Sequence, residues 1–271
     1  MYSAVVLTLN EENNLPKCLD SLRACADVVV LDSGSTDDTV RIAHQHGARV
    51  IQNPFHNFAQ QRNFAHEQIP FQFPWVLHLD ADETMTDSLH RSCSTFRDDG
   101  NFDGCWIAPK MMWFGQWIPR CTDFPAWQAR FVNAPRFRFI EVGHGQREHP
   151  DMRMRQLLGN YLHDLTTDGI EGWLEKHRRY AKAEARTQFD APPLELSRLV
   201  HSDPLVRRRA LKQLSYKIPF RAPARFIYQY LFRQGFREGS AGLKYCKLLA
   251  HYEGLAQYEI TRLKRLGKSV R

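Results

Sequence analysis

The chain carries few of the features that mark a metal cage or a secreted scaffold. Its six cysteines (Cys18, Cys25, Cys93, Cys105, Cys121 and Cys246) are scattered with no CxxC pair, and its twelve histidines form no HExxH. A zinc cage or a disulfide framework needs clustered ligands or an oxidising compartment, so plain reduced thiols are expected. No uncharged apolar run reaches the roughly 18 residues that a membrane-spanning helix needs. The opening MYSAVVLTLNEEN lacks a basic n-region and meets Glu11 and Glu12 too early for a signal peptide, which points to a cytoplasmic protein. Internal repeats and low-complexity segments are missing as well. What the chain does have is apolar material, 43% hydrophobic and 12% aromatic residues over 271 positions. That suffices for one large domain, or one domain plus an appendage, and excludes a disordered, collagen-like or coiled-coil protein.

The net charge of +7 is unevenly spread. From Asp203 to Arg271 there are 16 Lys+Arg against 4 Asp+Glu, or +12, while the preceding 202 residues carry 21 against 26, or −5. A mildly acidic body with a strongly basic tail implies an anionic partner for the tail: a membrane surface, nucleic acid or an acidic substrate.

The first hundred residues alternate short apolar strands with helical stretches. Strands are expected at Ser3–Leu9, Asp27–Leu31, Ala48–Gln52 and Trp75–Leu79. Between them, helices are expected over Glu11–Leu22, over Thr36–His46 behind a capping-box-like Ser35/Asp38, and over Phe58–His66 capped by Asn57; another follows Thr86. Strands joined by helices of this length imply parallel βαβ units. In an open α/β sheet the ligand site lies beyond the carboxyl ends of the strands, and Asn10, Asp32 and Asp80 all fall there. From Gly104 to His149 aromatics crowd in, with short strands expected at Cys105–Ala108, Arg130–Asn133 and Arg136–Val142. Singly such rings read as core, but several beside a cleft can stack a sugar or a base. After Gly169 the chain reads as helical: Trp173–Thr187, Pro204–Tyr216, Ala224–Phe236 and Ala241–Leu266, punctuated by Pro192, Pro193, Pro219 and Pro223. The expected fold class is therefore α/β with a C-terminal helical extension, divided as residues 1–168 and 169–271.

Three motifs bear on chemistry. Asp80-Ala81-Asp82-Glu83 leaves a buried strand with carboxylates at i and i+2, which can both reach one divalent cation or its phosphate ligands; hard oxygen donors select Mg²⁺ or Mn²⁺. Asp32, before the turn at Gly34, stands at a strand end where a carboxylate can accept a hydrogen bond from a base N–H or a ribose hydroxyl. Thr8-Leu9-Asn10-Glu11-Glu12 joins the first strand to the first helix, and its acids also suit the first turn of a helix. Arg62, on the third helix, is within reach of a diphosphate.

"LTLNEE", "VVVLDSGSTDDT" and "WVLHLDADE", in this order and spacing, resemble the family-2 inverting glycosyltransferases of the GT-A fold over roughly residues 3 to 150. "WQARF" at Trp127–Phe131, "EVGHGQRE" at Glu141–Glu148 and "IPFRAPARFIYQYLFRQGFREGSAGLKY" further resemble bacterial glucosyltransferases of the lipopolysaccharide inner core, which extend a heptose. The resemblance implies that Leu9, Glu11 and Asp32 line a uracil and ribose pocket, that Arg62 lies near the base or diphosphate, that Asp80 meets the ribose or metal, and that Asp82 holds the metal. The donor implied is a nucleotide sugar, UDP-glucose, and the acceptor a lipid-linked saccharide. Inversion also needs a base for the acceptor hydroxyl. Related enzymes place an acid immediately before the Trp of "WQ.R", where this chain has Ala126; Asp123 and Glu148 are the replacements, while His144 and His149 are candidates for metal or phosphate. The implied location is the inner face of the cytoplasmic membrane, reached through the basic tail.

Two other readings compete. WVLHL-Asp80-Ala81-Asp82-Glu83-Thr84 matches the DxDxT of haloacid-dehalogenase-like phosphatases, with Asp80 as nucleophile and Asp82 as acid/base. That scheme needs a later apolar strand ending in paired acids, and Asp98-Asp99 follows a polar helix instead. A basic nucleic-acid-binding protein would explain the tail, but not three acidic strand ends, so no nucleic-acid partner is expected.

Overall fold

A computed structural model describes residues 1–142, 145–167, 169–190, 195–202, 204–215 and 220–269. The chain divides into two compact units, one comprising Met1–Pro119 and Asp123–Thr167, the other Arg120–Thr122 and Asp168–Arg271.

In the first unit the apolar run SAVVLT is β1 (Ser3–Thr8), buried at every position. It is followed by α1 (Leu15–Ser21), β2 (Asp27–Asp32), α2 (Thr39–Gln45), β3 (Arg49–Gln52), α3 (Phe58–Gln68), β4 (Trp75–Asp80), β5 (Glu83–Met85) and α4 (Asp87–Ser94). The aromatic-rich half adds β6 (Gly104–Ile107), β7 (Lys110–Trp113), β8 (Gln116–Trp117), β9 (Gln128–Asn133), β10 (Phe139–Val142), β11 (Gly145–Glu148), β12 (Met154–Gln156) and β13 (Tyr161–Asp164). Seven strands form the main sheet in the order β12-β6-β9-β4-β1-β2-β3. All run parallel except β9, which pairs antiparallel with both β4 and β6.

The near-continuous apolar strands are those of a sheet covered on both faces. Val6, Leu77 and Leu79 pack with Leu15, Leu19, Leu89 and Cys93 on one side. Val5, Leu7, Leu31 and Val76 pack with Ala65 of α3 and with Ile69 just past its end on the other. Two helix starts agree with their sequence signals, since Asn57 accepts the Gln60 N–H and Thr86 accepts the Leu89 N–H. Arg136–Val142 is not one strand. Only Phe139–Val142 is extended, folding into a hairpin with β11. A second small sheet, β5-β13-β7-β8, carries Glu83 and His163 as direct cross-strand partners.

The second unit contains α5 (Gly169–Phe189), α6 (Pro204–Ser215), α7 (Arg221–Ile227) and α8 (Gly239–Ser269). The Tyr252 hydroxyl of α8 donates to Glu184 of α5, and His177 stacks on Trp173 while meeting Tyr252 edge-on. The expected helix Ala224–Phe236 is broken. After Ile227 it passes into a wide π turn at Tyr228–Phe232, and Gln234 takes a φ of 61°. Tertiary hydrogen bonds account for the break: the Gln229 amide donates to Cys121 O at 2.5 Å and Arg233 to Thr122 O at 2.6 Å. Any Cβ at Gly235 would lie 2.8 Å from Gln229 O. The break also separates Arg221 and Arg225 of α7 from Arg233 and Arg237, which follow the π turn. Arg221 is buried against Glu253 at 2.6 Å, and Arg233 turns inward. Among the described residues no helix is long and apolar enough to cross a membrane.

Candidate active site

The loops after β1 and β2 are stitched to each other. Asn10, held at a φ of 56°, donates its N–H to Ser35 Oγ at 2.8 Å and accepts the Thr36 N–H at 2.8 Å. The Glu11 N–H donates to Thr39 Oγ1 at 2.8 Å, and Glu12 accepts the Asp38 N–H at 3.1 Å. Glu11 and Glu12 are thus not in a helix's first turn. Helix α1 starts at Leu15, and the Glu11 carboxylate instead accepts from the Asn14 side chain. Leu9, beside this stitch, is 49% exposed, an apolar side chain held open at a strand's carboxyl end.

Asp32 differs from its sequence-based reading. Its carboxylate is fully buried and already accepts four hydrogen bonds: from the Gly34 and Ser35 N–H groups, from Ser35 Oγ and from Thr8 Oγ1. Ser35 serves that carboxylate rather than capping a helix, and α2 begins at Thr39. The reason is local: Gly34, with a φ of 96°, lets the backbone curl so that two consecutive N–H groups face Asp32.

Around Asp80 the structure collects charge. Arg62, with no exposed surface, donates to Asp80 Oδ1 at 2.7 Å, and Arg130 donates to Asp80 Oδ2 at 3.0 Å and to Glu83 Oε1 at 2.7 Å. The Asp80 N–H donates to Glu83 Oε2 at 2.8 Å. Arg130 Nε and the Tyr161 hydroxyl both donate to Gln128 Oε1. His163 lies 3.4 Å from Asp82 and 3.7 Å from Glu83. Burial opposes charge on Asp80, but Arg130 and Arg62 outweigh it and hold this carboxyl well below the usual carboxylate range. Glu83 goes the other way: complete burial, with the Asp80 charge adding to it, pushes it up to about 7 despite Arg130. For His163, burial opposes the proton, yet Asp82, Glu83 and Asp80 together raise its pKa.

Behind Arg62, one turn along α3, His66 accepts or donates across 2.9 Å to His78 of β4, and its other nitrogen meets Phe137 O at 3.2 Å. Burial lowers His66 to about 4 and His78 well below the histidine range, so both rings are neutral at pH 7. Because α3 repeats every 3.6 residues and β4 every two, Arg62/His66 and Asp80/His78 form two parallel rungs.

The residues read from sequence therefore separate into groups. Arg62, Asp80 and Asp82 belong to one connected cluster, and Leu9, Glu11 and Asp32 to the stitched loops. Among the described residues no hydrogen bond or ion pair joins Asp123 or Glu148 to the cluster. Asp123 is exposed, and Glu148 accepts the Trp106 indole N–H at 3.2 Å. His144 lies outside the described residues, and His149 sits 3.4 Å from Asp151. Three further participants emerge only from the structure. Glu83 and Arg130 stand inside "DADE" and "WQARF", while His163 has no sequence signal because only the pairing of β13 with β5 brings it in.

The donor set bears on a divalent ion. Among the described residues no group of three or more His, Cys, Asp or Glu side chains is arranged to hold a metal. Both Asp80 oxygens carry guanidinium partners, which disfavours it as a ligand. Asp82, 20% exposed and 3.4 Å from His163, fits as one carboxylate ligand of a hard cation that takes its other ligands from phosphate oxygens and water.

A model of the family described as "Glycosyl transferase family 2" matches residues 3–156. The lipopolysaccharide core biosynthesis glycosyltransferase LpsC of Rhizobium meliloti is 39% identical over 92 residues, which is 32% of this chain and 33% of that protein. An uncharacterized glycosyltransferase of Mycobacterium tuberculosis is 42% identical over 83 residues, 31% of this chain and 37% of that one. The match thus spans about a third of the length of these relatives. Among solved structures, Staphylococcus aureus TarS 1-349 in complex with UDP aligns over 100% of this chain and 92% of its own, with 16% identity and a TM-score of 0.48.

Proposed function

We propose that this chain, which belongs to glycosyl transferase family 2, moves a hexose from a nucleotide sugar to a lipid-linked saccharide with inversion. The donor in this reading is UDP-glucose and the acceptor the lipopolysaccharide inner core. The observation that carries it is the Arg62–Asp80–Arg130 cluster at the carboxyl end of β4, beside the stitched loops after β1 and β2.

Each part then has a role. Exposed Leu9 supplies an apolar wall for the base, and Glu11 acceptor oxygens beside it. Asp32 acts through the turn it closes, which shapes the pocket rather than touching the ligand. Arg62 and Arg130 fix the Asp80 carboxylate, so that it faces the nucleotide without reorganising. Asp82 would hold Mg²⁺ or Mn²⁺, whose chemistry is to neutralise the charge that develops on the leaving diphosphate. Asp123 or Glu148 takes the proton of the attacking hydroxyl. The phosphatase reading asked Asp80 to attack phosphorus, and two guanidinium groups on its oxygens make it a poor nucleophile.

The second unit fits an anionic membrane surface, on the inner face of the cytoplasmic membrane, where a lipid-linked acceptor can be met. Phe220, Ile227, Tyr228, Leu231 and Phe232 are exposed apolar side chains, Phe232 at 75%, close together along a stretch of net charge +12. Apolar residues among basic ones are what an interfacial segment needs.

A donor-hydrolysis screen over UDP-, GDP- and dTDP-sugars with Mg²⁺ or Mn²⁺ tests the reading. Release of UDP from UDP-glucose, dependent on the ion, is expected. Release from none of the sugars, or phosphate release from simple monoesters, would overturn it.

A further inference from the structure

The second sheet of the first unit has a consequence for the other substrate. Asp164 of β13 lies opposite Met112 of β7, and Met112 opposite Trp117 of β8. Residues directly opposite one another share a face, as do positions i and i+2 within a strand, so Lys110 joins that row. At its other end the row reaches Asp82, whose carbonyl accepts the Asp164 N–H at 3.4 Å. Three strand spacings separate the two ends, about 14 Å.

The far end carries apolar rings that the fold leaves open. Trp117 is 37% exposed and Phe114 59%, although large aromatics are usually buried. Phe124 meets Trp117 edge-on with ring centroids 5.2 Å apart, and the Lys110 ammonium stands 4.8 Å from the centre of the Trp117 ring. The β7–β8 turn holds Phe114 at a φ of 46°, in the left-handed region that bulky residues avoid. The turn is pinned there, because the Phe114 N–H donates to Thr166 Oγ1 and Thr166 donates to Asp164 Oδ1. The positive φ is that of a two-residue hairpin turn, shared with Gly115 at a φ of 77°.

We propose that Trp117 and Lys110 form the binding platform for the acceptor, a saccharide that bears a phosphate group. The ammonium, which covers the indole in the free chain, turns to pair with the phosphate and leaves that ring to the apolar face of a pyranose. Phe124, edge-on to the indole, adjoins Asp123, so the exposed Asp123 carboxylate stands beside the platform, whereas Glu148 lies on the separate β10–β11 hairpin. The proposal rests on the sugar-transfer reading above, since it names the second substrate of that reaction.

Calorimetry on the full chain tests it without turnover. The probe is de-acylated lipopolysaccharide core saccharide, used before and after phosphatase treatment. The untreated saccharide is expected to bind the native chain. Trp117→Ala should weaken that binding by about tenfold or more and Trp117→Phe should largely restore it, the scale of one aromatic contact. Lys110→Ala should bind treated and untreated saccharide alike. UDP binding, measured on the same samples, should be unchanged in all three variants, and this also reports that they are folded. Saccharide binding by Trp117→Ala equal to that of the native chain, or none by the native chain, overturns the platform. Failure of the donor reading shows separately, as a native chain that does not bind UDP.

Discussion

Arg62 and Asp80 are joined at 2.7 Å, yet only one of them depends on the other. Arg62 has no exposed surface, and its Nε and Nη1 have no hydrogen-bond partner among the described residues. The Asp80 side chain is 32% exposed and keeps Arg130 on its second oxygen. Removing Asp80 strands a buried cation, whereas removing Arg62 leaves a carboxylate with another partner. Asp80→Ala should therefore cost about 3–5 kcal/mol, the scale for a buried charge left unpaired, and Arg62→Met clearly less. Urea unfolding of the two variants checks the order, and equal losses would refute it.

Asp82 is 20% exposed and faces His163 at 3.4 Å, so its removal should be felt in stability as well as in chemistry. Asp82→Asn, which keeps the side chain's shape, is expected to unfold near the native midpoint and to lose metal-dependent transfer. Full activity in this variant, or full native activity in EDTA, contradicts the metal role.

The base is decided by a pair of variants. If Asp123 takes the acceptor proton, Asp123→Asn lowers turnover by roughly 10² or more with donor binding intact, while Glu148→Gln mainly disturbs its bond to Trp106. The reverse pattern assigns the role to Glu148. Unchanged turnover in both moves the base elsewhere.

His66 makes stability depend on pH. Its folded pKa of about 4 lies below its ordinary 6.5, since burial disfavours the charged ring. As pH falls from about 6.5 towards 4, the unfolded chain takes up a proton that the folded chain refuses, so stability is lost on acidification. His66→Gln should flatten the part of that slope due to this ring. Denaturant midpoints at pH 7 and pH 5 measure it, and an unaltered slope removes His66 as the cause.

For membrane docking, the full chain should co-sediment with anionic but not neutral vesicles, and less so as salt is raised. Replacing Leu231 and Phe232 together by Ser should weaken the association without changing UDP affinity. Absence of binding to anionic vesicles would leave the exposed side chains without this role.

Much of this was legible along the chain because it is local. An apolar run such as SAVVLT has to be covered, a helix joining parallel strands sets their carboxyl ends on one edge, and the acids of "LNEE", "LDSGS" and "DADE" follow those ends directly. What each acid does there is not local. Asp32 looked available to a ligand until the turn delivered four donors to it, and Asp80 looked like a metal ligand until α3 and β9 each brought an arginine to one of its oxygens. His163 sits 80 positions beyond Glu83 and enters only because β13 pairs with β5. In the basic tail, periodicity proposed a helix through Phe236, but Gln229 and Arg233 bond to the carbonyls of Cys121 and Thr122 and the helix breaks. Spacing along a strand or helix is written in the sequence; which charges meet in a buried space depends on pairings between distant segments, and burial sets the strength of their interaction.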